Sequence, residues 1–419
     1  MKIEQLHQLF TENYLIDTDT RKIRKESLFF ALKGDNFNGN TFAVKAIENG
    51  AKYAIIDEAK YNIHPNTILV SNVLETLQNL ANFHRKILKT TIISLTGSNG
   101  KTTSKELINA VLSRKYKTIA TKGNLNNHIG VPLTLLSITP DTEIAIVEMG
   151  ANHLKEIETL CKIAEPNYGF ITNFGKAHLE GFGSVEGVIK AKSELYDFLR
   201  KNNEIAFINT DDKLQIKQSL GIKTIEFSSN EIQFIEANPF VKVGFQNSEI
   251  RSQLIGKYNF NNIAAAIAIG SYFKVSIEEI KEGIENYVPT NNRSQIIEKG
   301  TNKIILDAYN ANPSSMSAAL ENFNQLKDNN KIVFLGDMFE LGDDSAFEHQ
   351  NIADLVASFN FNKVYLIGKA FSTTSAKNAF IYDSFEAFKT SINKLTIGNA
   401  TILIKGSRGM ALERILDLL

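Results

Sequence analysis

The 419-residue sequence has one cysteine and no excess of charge of either sign. Because a single thiol has no partner within the chain, Cys161 excludes an intramolecular disulfide. The 46 basic and 46 acidic side chains cancel, so the whole molecule produces no field that would attract nucleic acid or an anionic membrane. Any anionic ligand must therefore be held by a local group of residues, and we expect no nucleic-acid partner.

Long apolar runs, low-complexity tracts and repeats of solenoid period are also absent. No window approaches the roughly 20 apolar residues that span a bilayer. The first residues, Met1 to Gln5, carry charge and lead into no apolar core of the signal-peptide type. We therefore expect a cytoplasmic protein without membrane insertion. The length, with 43% hydrophobic and 22% charged residues, predicts a globular chain of two or three domains.

The order of apolar runs predicts three α/β domains. Residues 1–87 contain short apolar runs separated by polar turns. Residues 88–289 alternate apolar strands with amphipathic helices, which is typical of a parallel sheet covered by helices. After a polar break at 289–292, residues 290–419 contain three apolar runs that stop at Gly336, Gly368 and Gly406. Ligands bind at the carboxyl ends of such strands, so the loops at Gly336 and Gly406 are candidate binding edges.

The stretch from Ile92 to Thr103 joins an apolar strand to a helix through a glycine-bounded turn, G-x-x-G-K-T, shorter than the common phosphate-binding loop. Glycines allow backbone N–H groups to approach phosphate oxygens, and Lys101 supplies charge for the terminal phosphates. The Thr102 hydroxyl is suited to bind magnesium. We expect a nucleoside triphosphate here; the alternative is a tight turn with a solvated lysine. The predicted loop consists of Gly97, Ser98, Asn99, Gly100, Lys101, Thr102 and Thr103.

Further polar residues stand where other strands of the central segment should end. An amide-rich loop covers 121–127, Glu148 closes an apolar strand, and His178 lies in a glycine-flanked loop. Glu148 is expected to reach a magnesium ion that bridges nucleotide phosphates, although a helix-capping role would also explain it. A lone histidine is more often structural than a ligand. Lys192 lies in a predicted helix, where a lysine is ordinarily solvated.

Taken together, these segments resemble the Mur ligases, ATP-dependent amide-forming enzymes that build the peptide of bacterial cell-wall precursors. The resemblance covers essentially the whole chain. It implies a small α/β domain that binds a UDP-sugar, a central ATPase-like domain with a parallel sheet, and a Rossmann-like C-terminal domain that receives the incoming amino compound. The motifs that carry it are residues 123–132 (GNLNNHIGVP), 177–184 (AHLEGFGS), 307–313 (DAYNANP), 336–338 (GDM) and 405–408 (KGSR).

The resemblance implies transfer of the γ-phosphoryl group of ATP to a peptide carboxylate, followed by attack of an amine on the acyl phosphate. The motifs favour the branch that adds D-alanyl-D-alanine to UDP-N-acetylmuramoyl-tripeptide in peptidoglycan synthesis. One alternative is a sister ligase that adds a single amino acid, such as the diamino-acid-adding enzyme or a folylpolyglutamate synthase. The diamino-acid enzyme would be expected to carry Asn-Pro-Arg where this chain reads Asn312-Pro313-Ser314. Another is a nucleotide-binding scaffold that performs no ligation.

The same resemblance implies residue roles around ATP and two magnesium ions. Lys101 would stabilise the β and γ phosphates, and Thr102 and Glu148 would hold the first magnesium. His178 would bind the second magnesium together with a carbamate formed on Lys192. Four further residues match ATP-binding positions of the family. These are Asn259 and Asn262, on the adenine side, although a helix cap would also use asparagine, and Arg293 and Asp307, near the phosphates and ribose.

Substrate contacts are expected at both ends of the chain. A zwitterionic dipeptide requires a cation for its carboxylate and oxygens for its amine. Separately, we expect the protein to act as a monomer. The expected contacts are Thr20, Arg21, Lys33, Gly34 and Asn38 for the uridine diphosphate, Asn124, Asn126 and Asn127 in the amide-rich loop, and Asn310, Asn312, Ser407 and Arg408 for the dipeptide.

Overall fold

Three sheets of four, six and six strands follow one another along the chain and form the framework of the protein. The computed structural model describes residues 1–290, 292–392 and 397–419; Asn291, in the predicted polar break, lies outside them. We call residues 1–87 the N-terminal unit, 88–289 the central unit, and the described residues from 292 onward the C-terminal unit.

The N-terminal unit is a small parallel α/β layer structure. Its elements are α1 (Ile3–Thr11), β1 (Ile16–Asp17), β2 (Leu28–Phe30), β3 (Lys33–Gly34), β4 (Phe37–Asn38), α2 (Ala43–Glu48), β5 (Tyr53–Ile56), β6 (Thr67–Leu69) and α3 (Val73–Ile87). The sheet has the order β1-β2-β5-β6, with β3 and β4 as a separate hairpin. Helix α3 begins where the Asn72 side chain accepts the Glu75 N–H, and it buries an apolar stripe that includes Val73, Leu77 and Leu80.

The central unit contains the parallel sheet that the sequence predicts, in the order β12-β11-β10-β7-β9-β8. Its inner strands β7 and β9 are buried on both faces, as expected of a parallel sheet that helices cover on both sides. The elements are β7 (Thr91–Thr96), α4 (Lys101–Leu112), β8 (Thr118–Ala120), α5 (Gly130–Leu135), β9 (Ile144–Glu148), α6 (Glu156–Ala164), β10 (Tyr168–Ile171), α7 (Leu179–Phe182), α8 (Val185–Asn202), β11 (Ile205–Asn209), α9 (Lys213–Gln218), β12 (Lys223–Phe227), β13 (Ile232–Ala237), β14 (Phe240–Phe245), β15 (Ser248–Ile255), α10 (Phe260–Tyr272) and α11 (Ile277–Glu285).

An antiparallel sheet of β13, β14 and β15 is the part of the central unit that the sequence analysis did not predict. Strand β15 alternates partly between buried and more exposed residues, whereas our prediction relied on continuous apolar runs. Such alternation is typical of an antiparallel sheet with one face toward solvent.

The C-terminal unit is a mixed sheet in the order β16-β17-β21-β18-β19-β20, in which only the β16–β17 pair is antiparallel. Its elements are β16 (Gln295–Lys299), β17 (Asn302–Asp307), α12 (Pro313–Gln325), β18 (Lys331–Gly336), α13 (Ser345–Ser358), β19 (Lys363–Ile367), β20 (Ala379–Tyr382), α14 (Phe385–Ser391) and β21 (Thr401–Lys405). The three glycine-terminated runs are β18, β19 and β21, as predicted. Strands β17, β21 and β18 are parallel neighbours. Their last residues, Asp307, Lys405 and Gly336, therefore lie together at the carboxyl edge of the sheet.

The α/β fold class is therefore confirmed.

Cys161 is buried, with its thiol 3.8 Å from the Met149 sulfur. Within the described ranges, no helix has the length and apolar character needed to cross a bilayer.

Candidate active site

A cleft of about 990 Å³ lies between the central and C-terminal units. Both units contribute predicted site residues to its wall, so residues far apart in the chain meet in one place. The predicted residues that line it are Ser98, Asn99, Gly100, Lys101, Thr102, Thr103, Asn124, Asn126, Asn127, Glu148, His178, Asn259, Asn262, Arg293, Asp307, Asn310 and Asn312.

The phosphate loop leaves β7 and enters α4 through two glycines with positive φ, +144° at Gly97 and +79° at Gly100. A Cβ atom on Gly97 would lie 2.0 Å from the Thr172 hydroxyl oxygen, and one on Gly100 would lie 2.4 Å from Asn262 Oδ1. Only glycine fits both the backbone conformation and the space. The turn therefore leaves the first backbone N–H groups of α4 at the cleft, as an anion site requires.

Lys101 folds back over this loop. Its Nζ donates to the carbonyl oxygens of Gly97, at 2.7 Å, and Ser98, at 3.3 Å. Burial lowers the pKa of the Lys101 ammonium, Glu148 raises it and Arg293 lowers it. The half-buried Lys101 side chain is thus held at the cleft by the loop that it belongs to, whereas a lysine that is only solvated would need no such contacts.

Glu148 ends β9 as the centre of a polar network. Its carboxylate accepts hydrogen bonds from the Thr102 hydroxyl, at 2.9 Å, and from Asn126 Nδ2, at 2.8 Å. Mg²⁺ favours oxygen ligands and usually takes one or two carboxylates, with the remainder from phosphates and water. The Thr102 and Glu148 oxygens fit that requirement. Among the described residues, no group of three or more His, Cys, Asp or Glu forms an all-protein metal cage.

Lys192 lies in α8 and is fully buried, which contradicts the expectation of a solvated lysine. Its Nζ donates to the Ala151 carbonyl at 3.2 Å and lies 5.0 Å from the centre of the Phe182 ring. Burial holds the pKa of the Lys192 amine well below its usual range, and the charge of Lys101 lowers it further. No pattern in the sequence indicated this burial, because Lys190 and Lys192 lie close together in one predicted helix and such lysines are ordinarily solvated.

His178 precedes α7 in a left-handed conformation, with φ of +53°. Its Nδ1 lies 2.5 Å from Oε2 of Glu340, which belongs to the C-terminal unit. The His178 and Phe182 ring centres are 6.3 Å apart, so Phe182 contacts both His178 and Lys192. Lys192 itself is not among the residues that line the cleft.

The two predicted adenine-side asparagines connect α10 to the phosphate loop. Asn262 Nδ2 donates to Asn259 Oδ1 at 2.8 Å, and Asn262 Oδ1 accepts from the Ser104 hydroxyl at 2.9 Å. Asn259 Nδ2 donates to the Ile255 carbonyl at 2.8 Å. The side chain of Asn259 makes no capping hydrogen bond to α10, so its position is not explained by helix capping.

The C-terminal unit brings a cation and a carboxylate to the same cleft. The Arg293 guanidinium lies 3.6 Å from the Tyr309 ring centre, and among the described residues its buried Nε has no hydrogen-bond partner. Asp307 pairs with Lys405 at 2.6 Å and accepts the Ser294 N–H at 3.0 Å. The Asn310 side chain accepts the Ala311 N–H at 2.9 Å.

The predicted uridine-side residues lie outside this cleft, in the N-terminal unit. Lys33 pairs with Asp57 at 2.8 Å and Glu58 at 3.0 Å, and Asn38 donates to Glu58 at 2.8 Å. Exposed Arg21 pairs with Asp19 at 2.7 Å. The Thr20 carbonyl accepts from Asn49 at 3.1 Å, and the space beside Gly34 is open.

Two of the predicted dipeptide contacts also fall outside the residues that line the cleft. Buried Ser407 uses its hydroxyl to accept the Phe339 N–H at 2.9 Å. Arg408 is exposed and pairs with Glu413 at 3.2 Å. Sequence analysis gave no site role to Tyr258 and Lys405, which line the cleft, or to Glu340, which lies beside His178. Lys405 stood in the KGSR motif, and the strand end at Gly336 pointed toward Glu340.

A phosphate loop, an adjacent carboxylate and a second unit that supplies an arginine define a nucleotide-dependent enzyme, and the chain belongs to the Mur ligase family. Three family models match in order: "Mur ligase family, catalytic domain" at residues 12–87, "Mur ligase middle domain" at 95–270, and "Mur ligase, glutamate ligase domain" at 292–408.

The relatives point to one branch of the family. UDP-N-acetylmuramoyl-tripeptide–D-alanyl-D-alanine ligase from Bacillus subtilis is 36% identical over 96% of this chain and 92% of its own length. A crystal structure of MurF from Acinetobacter baumannii matches with a TM-score of 0.86 and 30% identity, covering 100% of this chain and 98% of that chain. MurF from Thermotoga maritima, solved in complex with ADP, matches with a TM-score of 0.84 and 26% identity, covering 96% of each chain.

Proposed function

We propose that this chain is the ATP-dependent ligase that joins D-alanyl-D-alanine to UDP-N-acetylmuramoyl-tripeptide, giving UDP-N-acetylmuramoyl-pentapeptide, ADP and phosphate for peptidoglycan synthesis. The observation that carries the proposal is one cleft in which the phosphate loop of the central unit faces Arg293 and Asp307 of the C-terminal unit. The near full-length similarity to ligases of this specificity supports the choice of substrates.

The chemistry explains why cations and N–H groups are gathered at this cleft. A carboxylate is a poor electrophile and must be activated before an amine can attack it. In the first step its oxygen attacks the γ-phosphorus of ATP, and ADP leaves. The amine of D-alanyl-D-alanine then attacks the acyl phosphate carbon, loses a proton and expels inorganic phosphate. Lys101 and the N-terminus of α4 stabilise the negative charge during phosphoryl transfer, and Arg293 approaches from the opposite unit.

Two magnesium ions complete the proposed site, and each would neutralise negative charge on the phosphates and the peptide carboxylate. Thr102 and Glu148 would hold the first. His178 would hold the second together with a carbamate on Lys192. The buried Lys192 amine is suited to this modification because its neutral form is favoured: the amine nitrogen attacks carbon dioxide and releases a proton, leaving an anionic oxygen ligand in place of the neutral amine.

Substrate roles and domain limits follow from the same proposal. We assign domains to 1–87 for the uridine diphosphate, 88–289 for ATP and 290–419 for the dipeptide. In this proposal, ATP binds through residues 97–103 together with Asn259, Asn262, Arg293 and Asp307. The protein acts as a monomer in the cytoplasm. The proposed substrate contacts are Thr20, Arg21, Lys33, Gly34, Asn38, Asn124, Asn126, Asn127, Asn310, Asn312, Ser407 and Arg408.

Phosphate release tests the proposal. The enzyme is supplied with ATP, magnesium, UDP-N-acetylmuramoyl-tripeptide and D-alanyl-D-alanine, each is omitted in turn, and the product mass is measured. We expect turnover that requires every component and yields the UDP-pentapeptide. Turnover with a UDP-dipeptide and a free diamino acid would assign the chain to the sister ligase instead. ATP binding without turnover in any combination would favour a scaffold.

A further inference from the structure

Arg293 lies where the chain enters the first strand of the C-terminal unit, and the backbone of both its neighbours is held by the end of β17. The Ser294 N–H donates to the Asp307 carboxylate at 3.0 Å, and the Asn292 carbonyl accepts the Tyr309 N–H at 3.2 Å. Both bonds join residues that continue the register in which β16 pairs with β17. The antiparallel pairing of the two strands therefore extends to the cleft.

This pairing is distorted at Arg293 by a left-handed residue on each side. Asn292 has φ of +56° and Ser294 has φ of +49°, a conformation that costs free energy in any residue other than glycine. By the register, Arg293 stands opposite Ala308, and in a regular ladder Tyr309 would lie on the other face. The two left-handed residues interrupt that alternation, so the Arg293 side chain reaches the ring of Tyr309.

The Arg293 guanidinium carbon lies 3.6 Å from the centre of the Tyr309 ring. At that distance the guanidinium covers the face of the ring, because contact with the ring edge would separate the two centres by about 5 Å or more. The face carries the negative part of the ring quadrupole and attracts a cation. The buried Nε of Arg293 has no hydrogen-bond partner among the described residues. The stack thus holds a cation with an unused donor at the wall of the cleft.

A cation at this wall needs a contact that orders it before the nucleotide arrives. Arg293 and Tyr309 line the cleft together with Lys101 of the central unit, and two positive charges in one cleft repel each other until an anion lies between them. A solvated arginine also samples many rotamers, and ordering its side chain on binding costs free energy. An aromatic face that orders the guanidinium beforehand removes part of that cost.

We propose that Tyr309 is a positioning residue whose ring holds the Arg293 guanidinium at the cleft, preorganised for the phosphates of ATP. This inference rests on the proposed function, which assigns Arg293 to ATP, and it adds a residue to which that function assigns no role. The Tyr309 ring centre is also 5.9 Å from the guanidinium carbon of Arg408, a proposed dipeptide contact. Because that distance is at the limit for an attraction of this kind, the effect of Tyr309 falls on nucleotide and not on the dipeptide.

Three variants of the full chain test the aromatic face. Tyr309→Phe removes only the hydroxyl, and Tyr309→Leu removes the ring but keeps a bulky apolar side chain. Phe385→Leu is the matched control, because the Phe385 ring centre lies 3.8 Å from the guanidinium carbon of Arg414, in the same unit but outside the set of residues that lines the cleft. Thermal unfolding establishes that each variant is folded.

The first readout is the Kd of an ATP analogue with a methylene bridge between the β and γ phosphorus atoms, measured by calorimetry with Mg²⁺ and without peptide substrates. We expect Tyr309→Leu to raise this Kd about fivefold, the order expected for one cation–π contact, and Tyr309→Phe and Phe385→Leu to keep the wild-type value. Arg293→Ala should raise it about tenfold or more. In the Arg293→Ala background Tyr309→Leu should add little, whereas a purely structural effect would add in full.

The second readout is steady-state ligation with all substrates. In Tyr309→Leu, kcat/KM for ATP should fall about fivefold with the KM for D-alanyl-D-alanine unchanged, and Tyr309→Phe should retain the wild-type rate. The proposal is overturned if Tyr309→Leu binds the analogue as wild type does, if its effect persists in full in Arg293→Ala, or if Arg293→Ala itself leaves binding unchanged. If wild type binds the analogue but performs no ligation, the proposed function fails, while the binding cycle still decides whether Tyr309 acts through Arg293.

Discussion

Asn312 of the C-terminal unit donates a hydrogen bond from Nδ2 to Oδ1 of Asn99 in the phosphate loop, at 2.8 Å. The same asparagine begins α12, where its side-chain oxygen accepts the Ser315 N–H at 2.9 Å. One side chain thus joins the start of a C-terminal helix to the loop that is expected to hold ATP. In the proposed mechanism, docking of the two units would enclose the acyl phosphate and limit its hydrolysis.

Replacing Asn312 by serine tests this connection. Serine still caps α12 but is too short to reach Asn99, so the free energy of unfolding should change little. Loss of one neutral hydrogen bond is worth about 1 kcal/mol, and we expect kcat/KM for ATP to fall about fivefold. Thermal unfolding and initial rates measure the two effects. A large fall in stability with unchanged kinetics would show that Asn312 only supports its helix.

Replacing Gly97 by alanine should disable the phosphate loop. The new Cβ would meet the Thr172 hydroxyl oxygen at 2.0 Å, with φ at +144°, so the loop must shift. Misplacement of about 1 Å at a reacting group is worth about 100-fold in rate, and we expect a loss of that order in ATP-dependent turnover. Gly123→Ala is the control, because its φ is also positive but no atom lies within 4 Å of the added carbon. Equal losses in both variants would contradict a steric cause.

Replacing Lys192 by alanine tests the carbamate. We expect phosphate release to fall about 100-fold, in the upper range for loss of a metal-site group, and added short carboxylates to restore part of it by supplying an anionic oxygen. Lys192→Arg is the control, because it keeps a long basic side chain but forms no carbamate, and it should stay inactive. Full turnover in Lys192→Ala would show that Lys192 is not a ligand of the second magnesium ion.

Local patterns in the sequence predicted the parts of this protein whose residues are contiguous along the chain. The phosphate loop is contiguous, and β7, β9 and the glycine-terminated strands of the C-terminal unit are apolar runs, so each has its own signal. The burial of Lys192 has none, because Lys190 and Glu194 beside it make the same helix look solvated. The pairing of His178 with Glu340 joins distant segments through docking of two units, which no local pattern encodes. The chemical roles of these residues stay predictions until the variants are measured.

A buried histidine pair should make stability fall in acid. His7 Nε2 and His84 Nδ1 lie 3.0 Å apart, and His84 Nε2 lies 2.9 Å from the carbonyl oxygen of Ile138 in the central unit. Burial lowers the pKa of both histidines, and the charge of His84 lowers that of His7 further. The unfolded chain, with a histidine pKa of about 6.5, therefore binds more protons than the folded one. The stabilisation is present above about pH 6.5 and is lost as pH falls below it.

The urea midpoint at about pH 7.5 and about pH 5.5 measures this loss in wild type and in His7→Gln, whose amide retains a donor for His84. We expect the midpoint to fall less on acidification in His7→Gln, since one of the two buried titrating rings is gone. His153→Gln is the control, because the His153 side chain is 69% exposed and should keep the wild-type dependence. If all three proteins lose the same amount, the acid sensitivity arises from other groups, and the pair between α1 and α3 is only a structural contact.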